Sequence, residues 1–177
     1  MRNTFTGLFV LLWVGLGTCM GLAHHLFANH ESLKVLEIGD TAKSRDVQGN
    51  DPWSPEELMQ PEELANLLAG AGAKETNVLQ IGIIHLYRLN HIPGSKFAGP
   101  ASSAEGLDAL KREAKDLSRT RQLVFYCGCC PWADCPNTRP AYKVLSEMGF
   151  KKIKVLYLAK NFTQDWVMKG YPVEKNP

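Results

Sequence analysis

The chain has 177 residues, 45% of them apolar and 21% charged. That suits one globular domain with a tail and excludes a disordered composition. Twenty basic against eighteen acidic side chains leave a net charge of +2, which argues neither for nor against a nucleic-acid partner. The one local basic cluster, Lys151, Lys152 and Lys154, borders an apolar run and reads as a solvated strand entrance, so no nucleic-acid partner is expected.

Arg2 is followed by an apolar stretch over residues 5–26, broken by glycines, with small residues such as Ala23 and Ala28 behind it. Residues 1–28 fit a secretory signal peptide or, if uncleaved, an N-terminal membrane anchor. The apolar core, residues 7–17, is short for a spanning helix. Leu16-Gly17-Thr18-Cys19 resembles a lipoprotein box. Each reading exports the folded part to the periplasm or another extracytoplasmic space, with membrane attachment through the N-terminus as one form. His24, His25 and His30 read as a solvated arm.

Residues 29–55 carry mixed charge without a period and end in a turn-rich stretch, so they read as an extension or linker, leaving 56–177 as the domain. Pro55 and Pro61 suit first helical turns. Leu64, Leu67 and Leu68 then form an apolar face that Gly70 and Gly72 end. Residues 78–84 predict a short strand. Leu107, Leu110, Ala114 and Leu117 predict a helix, and residues 122–126 a strand buried on both faces. Ala141, Val144, Leu145 and Met148 predict a helix from near Pro140 to Gly149. Residues 153–158 predict another buried strand and 165–169 a short last helix. Strands alternating with helices imply an α/β fold with a parallel sheet. Ligands in such sheets bind at the carboxyl ends of the strands.

Four of the five cysteines crowd into that position. Cys127, Cys129, Cys130 and Cys135 fall within nine residues, between the strand ending at Tyr126 and the helix near Pro140. Cys127, at a strand end facing backbone N–H groups and a helix N-terminus, is expected to have a lowered pKa and to act as a nucleophile. Cys129, Cys130 and Cys135 admit three roles. They are resolving or relay thiols, partners in a structural disulfide, or ligands for a soft metal such as Zn or Cu. Their spacing matches neither a tandem C-x2-C zinc site nor a ferredoxin run, so sulfur or redox chemistry ranks ahead of metal and no cofactor is expected. Cys127-Gly128-Cys129-Cys130 is also a C-x-x-C, which points to a thiol–disulfide oxidoreductase as the alternative class. Arg139 offers forked donors suited to an anion near the cysteine. Asn137 or Thr138 reads as a helix cap.

Several ordered pieces resemble the rhodanese-like family. His91-Ile92-Pro93-Gly94-Ser95 resembles its HIPGA segment, and Leu123-Val124-Phe125-Tyr126-Cys127 the strand that delivers its catalytic cysteine. AYKVLSEMGF, residues 141–150, resembles the helix that follows, and Gly170-Tyr171-Pro172-Val173 the closing segment. The resemblance implies a rhodanese-like α/β fold with a central, mostly parallel sheet flanked by helices on both faces. It implies a sulfurtransferase in which Cys127 carries sulfane sulfur as a persulfide and passes it to a thiol or other nucleophile. Arg139 and the loop N–H groups would hold the anion, Cys129, Cys130 and Cys135 would relay or resolve, and Gly128, His91 and Trp132 would border the pocket. The partners implied are a small sulfur-donor anion and a protein or low-molecular-weight thiol. Three departures set the chain apart from the family pattern. Arg139 lies twelve residues past Cys127, in a loop longer by several residues; Gln80-Ile81-Gly82 stands where an Asp-x-Arg pattern is common; and Asn161-Phe162 stands where a glycine pair is common.

Overall fold

Five short strands make one sheet in the order β1-β5-β4-β2-β3, every neighbouring pair parallel. They are β1 (Leu58–Met59), β2 (Thr76–Gln80), β3 (Lys96–Phe97), β4 (Gln122–Tyr126) and β5 (Ile153–Leu156). The helices are α1 (Pro61–Ala69), α2 (Ile84–Leu89), α3 (Ala104–Ala114), α4 (Thr138–Glu147) and α5 (Phe162–Asp165). This computed structural model describes residues 51–175. The readings placed on residues 1–50, namely the signal peptide or anchor, Cys19, the N-terminal histidines and most of the extension, lie outside the described residues. Among the described residues no helix is long and apolar enough to cross a membrane.

The central strand β4 shows why the fold forms. A strand sends successive side chains to opposite faces, and a parallel sheet covered on both sides must be apolar on both. Leu123 and Phe125 enter one core with Leu79, Ile153 and Val155, closed by Leu110 and Ala114 of α3 and by Ala141, Val144 and Leu145 of α4. Val124 and Tyr126 enter the opposite core with Val78 and Leu156, closed by Leu64 and Ala65 of α1, Phe162 of α5 and Trp166. Helices therefore flank both faces.

Several boundaries differ from the sequence reading: β5 stops at Leu156 instead of reaching 158, and the last α-helix is Phe162–Asp165, with Val167–Lys169 only a 3-10 turn, where a helix over 165–169 was expected. The apolar run 78–84 was expected to be one strand. β2 instead spans Thr76–Gln80, and Ile84 opens α2, a helix whose six residues carry too little period to be legible. Just past the end of β2, Gly82 packs against the cysteine loop: a Cβ there would stand 2.9 Å from the Cys127 carbonyl oxygen and 3.1 Å from its Sγ. Residues 51–53 are also packed. Trp53 is 5% exposed and meets Trp132 and Tyr142 edge-on, each at 5.5 Å.

β2 and β4 are neighbours, with Gln80 paired to Tyr126. From β2 the chain moves outward to β3, and from β4 it moves the other way to β5. The carboxyl ends of β2 and β4 therefore flank the point where strand order reverses, which is where a ligand crevice opens in such sheets.

Candidate functional site

Cys127 is the first residue past β4, at that reversal point. The chain turns at once through Gly128, whose φ of +76° favours glycine and whose Cβ would meet the Phe162 Cβ at 2.6 Å. The Gly128 carbonyl accepts the Phe162 N–H at 3.1 Å, and the Ala159 carbonyl accepts the Trp132 N–H at 3.2 Å. The loop is thus laid over the segment between β5 and α5. A 3-10 turn, Trp132–Asp134, delivers Cys135 to the entrance of α4.

The four thiols, all free, converge. The Cys127 and Cys129 sulfurs lie 3.1 Å apart, and those of Cys129 and Cys130 3.4 Å. The sulfurs of Cys127, Cys129 and Cys130 all lie within 4.8 Å of one another, so these three residues could hold a soft metal ion. Cys127 and Cys135 are buried, while Cys129 and Cys130 are half-buried.

The protonation pattern reverses the expectation for Cys127. Its pKa is raised, because its S–H is given to Cys129 and to Cys135 and because it is buried. Cys129 is held down at about 6, chiefly by that hydrogen bond from Cys127. Cys135 is held down at about 5, by Cys127 and by the backbone N–H groups of Asn137 and Thr138. Burial pushes Cys130 up to about 12, with Cys129 adding to it. The N-terminus of α4 faces Cys135, so the favourable dipole acts there and not on Cys127. Cys127 is a proton donor beside two thiolates.

Asn137 corrects the capping reading. It stands at the cap position of α4 but makes no side-chain cap bond. Its Nδ2 donates to Cys127 Sγ at 3.2 Å, and its Oδ1 accepts the Ser102 N–H at 2.8 Å. An amide 3% exposed is thereby aimed at the sulfur. Gln80 does a related job for the backbone: its Nε2 donates to the Cys127 carbonyl at 3.1 Å and its Oε1 accepts the Gly82 N–H at 3.2 Å. The sequence read Asn137 only as a helix cap and Gln80 only as a departure from the family pattern, and tied neither to Cys127. Each partner lies far along the chain, so no local pattern marks the role.

Three further candidate residues have contacts of their own. Arg139 pairs with the buried carboxylate of Asp51 at 2.7 Å and lies 5.9 Å over the Trp53 ring. Trp132 is buried between Trp53 and Tyr157, edge-on to both. His91 is 2% exposed, stacks on Tyr87, bonds the Tyr87 carbonyl through Nδ1 at 2.8 Å and approaches Glu174 at 3.7 Å. Its segment reaches the site indirectly, because the Ile92 N–H donates to the hydroxyl of Tyr126 at 3.1 Å. Beside Cys127 opens a cavity of about 60 Å³, lined by Gln80, Leu86, Leu89, Asn90, Gly128 and Phe162 among others.

No family model matches the chain, and no curated protein does. Solved structures do. The chain resembles the Alr3790 protein of Anabaena sp. at 21% identity over 67% of this chain and 92% of that one, with a TM-score of 0.51. The rhodanese-like domain of Alr3790, solved in solution, matches at 20% identity over 67% and 79%, with a TM-score of 0.50. The BH2092 protein of Bacillus halodurans matches at 19% identity over 66% and 75%, with a TM-score of 0.52. The fold is rhodanese-like: an all-parallel five-stranded α/β sheet with a cysteine-rich loop at the carboxyl end of its central strand.

Proposed function

We propose that the protein is a sulfurtransferase that carries sulfane sulfur as a persulfide on Cys127. The observation that carries this reading is the contact of Cys127 Sγ with the Cys129 sulfur at 3.1 Å and the Asn137 amide at 3.2 Å, at the reversal point of a rhodanese-like sheet. Cys127 attacks the outer sulfur of a donor. Its proton passes to the Cys129 thiolate, which acts as general base. The donor S–S bond breaks, a Cys127–sulfur bond forms, and the donor leaves as a thiolate or other anion. The Asn137 N–H and the Cys129 backbone N–H, which also faces the Cys127 sulfur, stabilise the new terminal sulfur anion. Discharge follows when an acceptor thiolate attacks the outer sulfur, and Cys129 is placed to be the first acceptor in a relay.

The same geometry supports a second reading, dithiol redox chemistry. If Cys129 attacks the inner sulfur of the persulfide, hydrosulfide leaves and a Cys127–Cys129 disulfide forms. Intact mass separates the two. Reduced protein exposed to a sulfane donor is expected to gain one sulfur, roughly 32 Da of ordinary persulfide chemistry. Cyanide removes it, and Cys127→Ser does not gain it. Loss of two hydrogens with no sulfur gained assigns the protein to dithiol chemistry. Retained metal in native mass spectra assigns it to a soft-metal carrier.

A further inference from the structure

The cavity beside Cys127 holds about 60 Å³, far below the roughly 300–1,000 Å³ of an ordinary small-molecule site. It admits the reacting sulfurs and little more, so the rest of any donor must lie on the rim. None of the lining residues carries a formal charge. Arg139, the cation nearest in sequence to the loop, is held by Asp51. The Gln80 amide is already bonded to the backbone at Cys127 and Gly82. A sulfur oxyanion such as thiosulfate would lose water there and meet no cation, at high cost.

The rim is built by α2, whose His85 and Arg88 are exposed but do not line the cavity. α2 and the residue before it expose Ile83 (44%), Leu86 (39%) and Leu89 (63%), and Leu86 and Leu89 line the cavity mouth with Phe162. Large aliphatic side chains exposed beside a reactive thiol gain when an apolar group covers them.

Resting on the sulfur-transfer reading, we propose that the donor is a hydropersulfide with an apolar stem, such as an alkyl or aryl R–S–SH, and that Leu86 and Leu89 select it. Cys127 attacks the outer sulfur, its proton goes to Cys129, the donor S–S bond breaks, and RS⁻ leaves. The transferred sulfur keeps its oxidation state, so no external oxidant or reductant enters.

Two donors that share the reacting S–SH and differ only in the stem test this: benzyl hydropersulfide and 2-sulfoethyl hydropersulfide. Loading of full-chain reduced protein is followed by intact mass, each rate divided by the donor's rate with free cysteine. The benzyl donor is expected to load about tenfold or more faster, the range that pocket complementarity supplies. Leu89→Lys, at an exposed position, should bring the ratio close to one. Equal rates in the wild type overturn the proposal while leaving sulfur transfer intact, as does a ratio unmoved by Leu89→Lys and Leu86→Lys. No adduct on Cys127 from either donor overturns the sulfur-transfer reading itself.

Discussion

Four thiols within one loop would titrate alike if each faced water. Here they are split into donors and acceptors, and the split follows from who faces whom. Cys127 keeps its proton and donates it in hydrogen bonds to Cys129 and Cys135, which lowers both, and the backbone N–H groups at the start of α4 hold Cys135 further down. The consequence is a reactive Cys129 at neutral pH. A thiolate is the nucleophile, so alkylation falls only when pH drops through the pKa. Alkylation of Cys129 by iodoacetamide, followed by peptide mapping, should be flat above about pH 7 and fall with a midpoint near 6. In Cys127→Ala the main hydrogen bond is lost, and the midpoint should climb toward the ordinary thiol value of about 8.5. A midpoint that stays low in the variant would show that another group supports the thiolate. The residue chemistry was half legible in the sequence. The cluster and its place at a strand end were plain from spacing. Which sulfur keeps the proton was not, because that depends on the direction of α4 and on two hydrogen bonds across the loop.

The elements matter through the way they hold that loop. Gly128 is where the chain turns from β4 under α5, with a left-handed backbone and no room for a side chain. Gly149 ends α4 in the same left-handed region, at φ +85°, but a Cβ there meets nothing within 4 Å. The pair separates conformation from packing. Gly149→Ala should cost roughly 1–2 kcal/mol, the left-handed penalty alone. Gly128→Ala should cost more by about another 1–3 kcal/mol, because Phe162 must move. Urea unfolding of both variants measures the difference, and equal losses would mean that Phe162 yields freely. The same distinction marks the limit of reading elements from sequence. β4 was legible because the near-continuous apolar run of residues 122–126, QLVFY, fits a strand buried on both faces. The end of β2 was not. Ile81, Ile83 and Ile84 continue the apolar run, and the close packing of Gly82 on Cys127 just past the strand end involves a residue 45 positions on, beyond any local pattern.

At the scale of the molecule, residues 51–53 are clamped to the cysteine loop and α4 by one ion pair and an aromatic cluster. Arg139 is 40% exposed and its partner Asp51 is 3% exposed, with Oδ2 left without a hydrogen-bond partner. Trp53, next but one, packs edge-on against Trp132 of the loop and Tyr142 of α4. The sequence put Arg139 beside the substrate because it follows the cysteines; its partner lies 88 positions upstream, in a stretch whose composition reads as linker. The two roles predict opposite outcomes for Arg139→Leu, which keeps the apolar stem and removes the charge. As a clamp, the change strands a buried carboxylate. Its loss is expected to be about 1–3 kcal/mol, moderated by the exposed guanidinium. The urea midpoint should fall with the slope unchanged. Adding Asp51→Asn should recover part of that loss, since paired groups couple. Sulfur loading of Cys127 from benzyl hydropersulfide should stay within about twofold of wild type, because no interaction with the reacting atoms has been removed. Loading that collapses while the urea midpoint holds would move Arg139 from the clamp to the substrate, and the charge-free description of the cavity with it.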